Sequence, residues 1–229
     1  MFRPTCLALL VASSAFAQNL LPQTHVLRQE GRQSDFPSMC VDAGGTPHVA
    51  FIQWDGKQDT LQVAKLSEGA LSDVLTVGQP GIIHQPGLAT DGSGALHVVW
   101  SQVNDKDVME LRSVILRDGK VQGEITTLAS SPNGGNAFAK AATDASGHVW
   151  VVWQGMRGTL GDIFCRVYDT KKNAWSQEVQ VTKDPGGDWE PCVAFDGKGG
   201  AWICHDSSRG NEFNIYATHV DAELKLGET

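Results

Sequence analysis

The chain has 229 residues, 41% of them hydrophobic, and a formal net charge of −8 at pH 7. That length supports one domain with a sizeable core, and an acidic chain without a lysine or arginine cluster lacks the footprint of a nucleic-acid or anionic-lipid binder. Apart from the N-terminus the apolar runs are short, well under the roughly 18 residues a membrane helix needs, so no membrane insertion is expected.

The first residues read as an export signal. Arg3 supplies a positive charge, Cys6-Leu7-Ala8-Leu9-Leu10-Val11-Ala12 is a short apolar run, and Ala15-Phe16-Ala17 is a small-x-small cleavage site before Gln18. Charge, apolar run and cleavage site in that order predict a signal peptide over 1–17 and a mature domain over 18–229, periplasmic or extracellular. Export makes disulfides possible for Cys40, Cys165, Cys192 and Cys204. Four cysteines are too few for a disulfide-built scaffold, and no C-x-x-C pair suggests zinc. No metal and no cofactor are expected.

The dominant feature is a repeat. Pro37-Ser-Met-Cys-Val-Asp42-Ala-Gly-Gly45-Thr-Pro-His-Val49-Ala-Phe51 aligns without a gap with segments ending at Trp100, Trp153 and His205. Asp42, Asp91, Asp144 and Asp196 recur about every fifty residues, each with a glycine three positions later. Physically each copy is a hairpin: the aspartate caps the turn through nearby backbone, and the glycine takes the positive φ that closes it. The flanking runs are apolar on nearly every residue, as expected of strands buried on both faces.

Third strands follow at 61–66, 111–116, 163–168 and 215–220, and fourth strands at 74–77, 125–128 and 179–182. Val108, Leu111, Val114 and Ile115 also sit at helical spacing, but the matching segments elsewhere are too short and β-branched, so a strand is chosen. Four strands repeated in series predict an all-β chain, a β-propeller of four-stranded antiparallel blades near 36–78, 85–128, 138–182 and 190–229. A strand at 24–29 has the shape of a fourth strand, and the last copy stops where its own should begin. Two readings stand: a ring of four blades closed by that strand, or part of a larger propeller.

The pattern Pro-x-x-x-x-Asp-x-x-Gly-x-x-x-Val-x-Trp, with Gly161-Asp162-Ile163-Phe164-Cys165-Arg166-Val167-Tyr168 after it, resembles secreted bacterial propellers of the sialidase-like (BNR-like) and TolB-like kinds. The resemblance implies the fold more than an activity, because one fold hosts many functions. The sialidase Asp-box is absent, and Tyr168 and Tyr216 fall in third strands, where packing is the expected role. No catalytic residue is carried over.

Blade topology gathers the loops from second to third and from fourth to first strands on one face, the long-looped one, where binding is expected. Arg157 and Arg209 occupy equivalent loops and suit a carboxylate or sugar acid, or else hold an acidic loop such as that of Asp162 or Glu212. His205 stands where other copies carry Phe51, Trp100 and Trp153, facing a ligand or else buried and satisfied. Trp189 and Trp54 are candidate stacking platforms for a sugar, with packing as the competing role. Asp206, Glu212 and Glu190 are the candidate carboxylates for glycoside chemistry, against a plain reading as solvated acids. Trp100, Trp150, Trp153 and Trp202 are assigned to the core, and His48 and His97 to repeat packing. The expected function is an exported propeller that recognises a protein or glycan through its long-looped face, with a sialidase-like hydrolase or lyase as the alternative.

Overall fold

The computed structural model describes residue 27 and residues 31–132, 134–210 and 212–227. The signal peptide, most of the 24–29 strand, Asn133 and Asn211 lie outside the described residues.

The chain forms four antiparallel sheets in series. The first is β1 (Gln33–Val41), β2 (Pro47–Trp54), β3 (Asp59–Ser67) and β4 (Ala70–Gly81). The second is β5 (Ile83–Thr90), β6 (Leu96–Val103), β7 (Met109–Arg117) and β8 (Lys120–Ala129). The third holds β9 (Asn136–Thr143), β10 (Val149–Met156) and β11 (Gly161–Asp169), whose outer edge pairs with two short strands, β12 (Ala174–Trp175) and β13 (Val179–Gln180). The fourth is β14 (Gly187–Phe195), β15 (Ala201–Arg209) and β16 (Glu212–Val220). The ambiguous segment near Leu111 is a strand, paired on both sides. After β16 the chain turns at Asp221 and makes a single bridge, Val220 to Leu226, where a fourth strand would start.

Each first hairpin is built by one carboxylate working in two directions. Asp91 Oδ1 accepts the backbone N–H groups of Ser93 and Ala95 at 2.8 and 3.0 Å. Its Oδ2 is bonded to His97 Nε2 at 3.0 Å across the hairpin. The first copy repeats this with Gly44, Thr46 and His48 around Asp42. In the third, Trp150 Nε1 donates to Asp144 at 3.0 Å. In the fourth, the ring comes from β16 instead: His219 Nε2 lies 2.9 Å from Asp196 Oδ2. Gly45, Gly94, Gly147 and Gly199 have φ of 83°, 82°, 81° and 97°, the left-handed conformation the turn requires.

The core lies between the sheets. Ala50 and Ile52 meet Leu88, Val98 and Trp100; Val99 meets Ala139, Val151 and Trp153; Trp150 and Val152 meet Ala201 and Ile203. Each sheet thus presents a front face to the next sheet and a back face to the one before. Inner strands touch along the series, β1 to β5, β5 to β9 and β9 to β14.

One expectation fails. Trp100, Trp150 and Trp153 are buried, but Trp202 is 49% exposed. It occupies the strand position of Trp150, on the front face of the fourth sheet, which no other described sheet covers.

Two outcomes follow. Asp91→Ala removes several hydrogen bonds and strands the fully buried His97, so it is expected to cost roughly 3 kcal/mol in urea unfolding. The same change at Asp221, in an exposed turn, should leave the midpoint nearly unmoved. The second outcome concerns pH. Burial holds His97 below the usual imidazole range, against the pull of Asp91. Burial raises Asp91, but hydrogen bonds from Ser93, His97 and Ala95 outweigh it and keep the carboxyl low. Hydrogen bonds from His48 and His219 do the same for Asp42 and Asp196. All are groups with a depressed folded pKa. Stability should therefore be present at neutral pH and decline first below about 6.5, through His97, and again below about 3.9, through the aspartates. His97→Gln should flatten the first decline in a series of urea midpoints against pH.

Candidate functional site at the long-looped end

The inner strands share a local irregularity. Phe36, Gln85, Phe138 and Glu190 each lie six residues before the turn aspartate, and each has a positive φ, of 49°, 29°, 56° and 48°. The register of each inner strand slips beside them, as in a β-bulge. Non-glycine residues adopt this conformation at a cost of order 1 kcal/mol, and bulges re-aim side chains where a fold needs them. Phe36 packs against His84 with ring centroids 5.9 Å apart, and Asp35 caps the bulge by accepting the Phe36 N–H at 2.7 Å. Glu190 is solvent-exposed, and Trp54, at the end of β2, is 38% exposed.

Both candidate arginines are already engaged. Arg157 lies 4.3 Å over the Phe164 ring, donates to Asn136 at 3.0 Å and pairs with Glu178 at 3.1 Å. Arg209 lies 3.8 Å over Tyr216, donates to Ser207 at 3.2 Å and pairs with Asp184 at 2.7 Å. Both arginines are sandwiched between a third-strand aromatic and an acid, Glu178 from the outer edge of Arg157's own sheet and Asp184 from the loop that leads into Arg209's. Arginine does serve to hold an acid, but the acids are Glu178 and Asp184, not Asp162 or Glu212.

His205 is 2% exposed and faces the third sheet, so it does not face solvent. Its Nδ1 lies 3.4 Å from Asp188 Oδ1. Asp188 is fully buried, and neither of its oxygens has a hydrogen-bond partner among the described residues. The equivalent pair in the third sheet is neutral: Trp153 Nε1 donates to Asn136 Oδ1 at 3.1 Å. In the fourth sheet the same two positions hold His205 and Asp188. Nearby, Asp162 is pushed up from the ordinary carboxylate range, first by burial and then by the charges of Asp188 and Asp184.

The remaining candidates do not converge on one centre. Trp189 stacks on Phe213, centroids 5.5 Å apart, on the uncovered front of the fourth sheet. Asp206 is half-buried in β15, in register with Trp189 and Ile215. Glu212 is exposed at the start of β16, opposite Arg209. Glu190 sits on the bulge. Among the described residues no group of three or more His, Cys, Asp or Glu is placed to hold a metal ion. Cys192 and Cys204 are register partners and carry free thiols; burial, then Cys192, raises the Cys204 thiol. No helix among the described residues is long and apolar enough to cross a membrane.

No family model and no curated protein matches the sequence. Solved structures do match. A protein of unknown function from Dyadobacter fermentans superposes with a TM-score of 0.64 at 15% identity, covering 89% of this chain and 70% of that one. An N10 neuraminidase-like protein of A/little yellow-shouldered bat/Guatemala/060/2010 gives 0.60 at 10% identity, covering 89% and 60%. An α-L-arabinanase of Penicillium chrysogenum, complexed with arabinobiose, gives 0.58 at 12% identity, covering 85% and 66%. The chain has a β-propeller fold. Its four sheets are blades of the kind found in sialidase-like and arabinanase propellers, and at these identities the likeness carries the fold alone.

The bulge positions were not singled out in the sequence, although Pro37, Pro86 and Pro191 follow three of the four. Asn136 and Asp188 carry another signal, because each closes a Gly-Gly-Asn or Gly-Gly-Asp run at the same repeat position.

Replacing the unpartnered Asp188 by Asn is expected to stabilise the propeller by on the order of 1 kcal/mol in urea unfolding. A lowered midpoint would mean that the carboxylate is held by His205 as a charged pair.

Proposed function

We propose that the protein is an exported glycan-binding propeller whose ligand enters at the long-looped end of the inner strands. The observation that carries this reading is the repeated bulge. Four successive inner strands accept an unfavourable backbone conformation at one equivalent place, and the side chains there include Phe36, Phe138 and the exposed Glu190. The exposed Trp54 adds an aromatic face of the type that stacks on sugar rings, with Glu190 as a hydrogen-bond acceptor for hydroxyls.

A binding role fits better than hydrolysis because Glu190, Asp206 and Glu212 occupy a bulge, an open sheet face and a strand end. A glycosidase needs two carboxyls facing one another across a bond. The arginines that would receive an acidic sugar already hold acids. The alternative, a glycan-acting hydrolase, draws support from the structural likeness to an arabinanase.

Arabino-oligosaccharides and a panel of neutral and acidic glycans are the probes, read by calorimetry. Trp54→Ala is expected to weaken the binding of a positive glycan about tenfold, near the roughly 1 kcal/mol an aromatic contact contributes. Glu190→Gln should weaken it less. A parallel set of chromogenic glycosides should show no turnover; turnover lost in Glu190→Gln or Asp206→Asn would establish the hydrolase reading instead.

A further inference from the structure

The hairpin-turn end of the molecule, opposite the long loops, carries a cleft at each internal blade interface. Each is walled by residues near the turn aspartate and outer strands of one sheet and by the next sheet. The repeat makes the clefts comparable residue by residue. Lys65, Ile115 and Val167 are equivalent, because each pairs with the sixth residue after its turn aspartate, His48, His97 and Trp150. Ser67, Arg117 and Asp169 follow two positions later. Ser72 and Gln122 pair with Lys65 and Ile115, so the next residues, Asp73 and Gly123, are equivalent as well. Both have a positive φ, of 49° and 70°.

In the first and third clefts a lysine pairs with an acid inside the cleft. Lys65 Nζ lies 2.9 Å from Asp73 Oδ2, and the first cleft holds only about 30 Å³. Lys172 Nζ lies 2.9 Å from Asp169 Oδ2, and the third holds about 190 Å³. The second departs from the first at the paired positions. Isoleucine stands in place of Lys65 and glycine in place of Asp73, and the cleft opens to about 460 Å³. That is within the roughly 300–1,000 Å³ of small-molecule sites. Its cation is Arg117. Arg112, Arg157 and Arg209 each pair with a carboxylate, but no ion pair among the described residues includes Arg117.

The guanidinium is held in place. Its Nη1 and Nη2 donate to the carbonyl and the Oγ of Ser93 at 3.3 and 2.8 Å, and Ser93 Oγ donates in turn to Asp91 at 2.6 Å. From the third sheet, Asn173 accepts the Tyr168 hydroxyl on its Oδ1, which leaves its NH2 group to donate. Asp91 also lines the cleft, but its oxygens are taken by Ser93, Ala95 and His97. One guanidinium without an acid, ringed by Asn173, Gln122 and Thr170, matches a single negative charge on a ligand that also carries hydroxyls. A dianion would meet the Asp91 carboxylate as well.

We propose that the cleft between the second and third blades is a second binding site, for a small hydroxylated monocarboxylate. Its carboxylate lies on Arg117 and its hydroxyls bond to Asn173 and Gln122. The site is separate from the long-looped end and does not depend on a ligand binding there.

Calorimetry of the full chain with D-glucuronate as the probe tests this, with neutral D-glucuronamide and inorganic phosphate beside it. Glucuronate should bind, and glucuronamide and phosphate should each bind at least about tenfold more weakly. Arg117→Gln should weaken glucuronate binding by a similar factor. Gly123→Asp should do so too, because it restores the acid that the first cleft carries, at a position where Asp73 shows that an aspartate fits the backbone. Both variants should keep the urea midpoint, and Trp54→Ala should leave glucuronate binding unchanged. The comparison of the two sugars needs no variant. Equal affinity for glucuronate and glucuronamide, a preference for phosphate, no glucuronate binding at millimolar concentration, or binding that survives Arg117→Gln would each overturn the proposal.

Discussion

The fold depends on the turn aspartate. One carboxylate serves two separate requirements of each hairpin. Its first oxygen accepts the N–H groups inside the turn, which a tight reversal would otherwise leave unpaired. Its second oxygen reaches a ring N–H that comes, in three of four copies, from the sixth residue after it. That second bond ties the turn to a fixed position on the strand. A slip of one residue would place the ring on the opposite face of the sheet, so the carboxylate also sets register. The donor can be histidine or tryptophan, and in the last copy it is supplied by the neighbouring strand at His219. What is kept is a ring N–H beside Oδ2, and its source varies.

This explains why the blades were legible and the site less so. The turn is local: aspartate, glycine and the strand on either side lie within a dozen residues, and each imposes a backbone state that composition reveals. The long-range pairs are not local. Arg157 meets Glu178 and Arg209 meets Asp184, each through a third-strand aromatic and a loop whose path no pattern specifies. Trp202 shows a different limit. Its repeat position predicts burial, but burial belongs to the pair of sheets, and among the described sheets the fourth has a neighbour on one side only. The positive-φ residues were hidden because Phe, Gln and Glu seldom adopt that conformation, so their identity gives no warning.

The bulge has a consequence for which residues meet across a blade. Side chains alternate along a strand, so a residue eight before the turn aspartate and one three before it should lie on opposite faces. The extra residue at the bulge removes that alternation. Ile83 then shares the back face with Leu88, and Asn136 shares it with Ala141. Both are thereby delivered beneath the aromatic of the second strand, Trp100 in one sheet and Trp153 in the next. In the third sheet the delivered residue accepts the indole N–H, which a buried tryptophan must otherwise lose at a cost of roughly 1–3 kcal/mol. In the second sheet the delivered Ile83 only packs there, and the Trp100 indole donates to Gln102 instead. The proline after Phe36, Gln85 and Glu190 suits the bulge, because it removes an N–H that the irregular ladder would leave unpaired.

The fourth sheet keeps this architecture and changes its chemistry. Asp188 is delivered to the same place beneath His205, and Ser207 is the counterpart of Gly155, so the backbone device is intact. The pair it brings together is ionisable, and Asp162 on the facing sheet adds a second carboxyl whose proton is held more tightly, first by burial and then by Asp188. The other blades place Ser34 with Phe51, Ile83 with Trp100 and Asn136 with Trp153 at these two positions, so the ionisable pair is confined to the fourth. His205 Nδ1 lies 3.3 Å from the Asp206 carbonyl, so the member of the pair left without any hydrogen-bond partner among the described residues is the Asp188 carboxylate. This buried pair therefore lies in the blade that also carries Glu190 and the Arg209–Asp184 clamp. Within the series, this is where the repeat departs furthest from a purely structural solution.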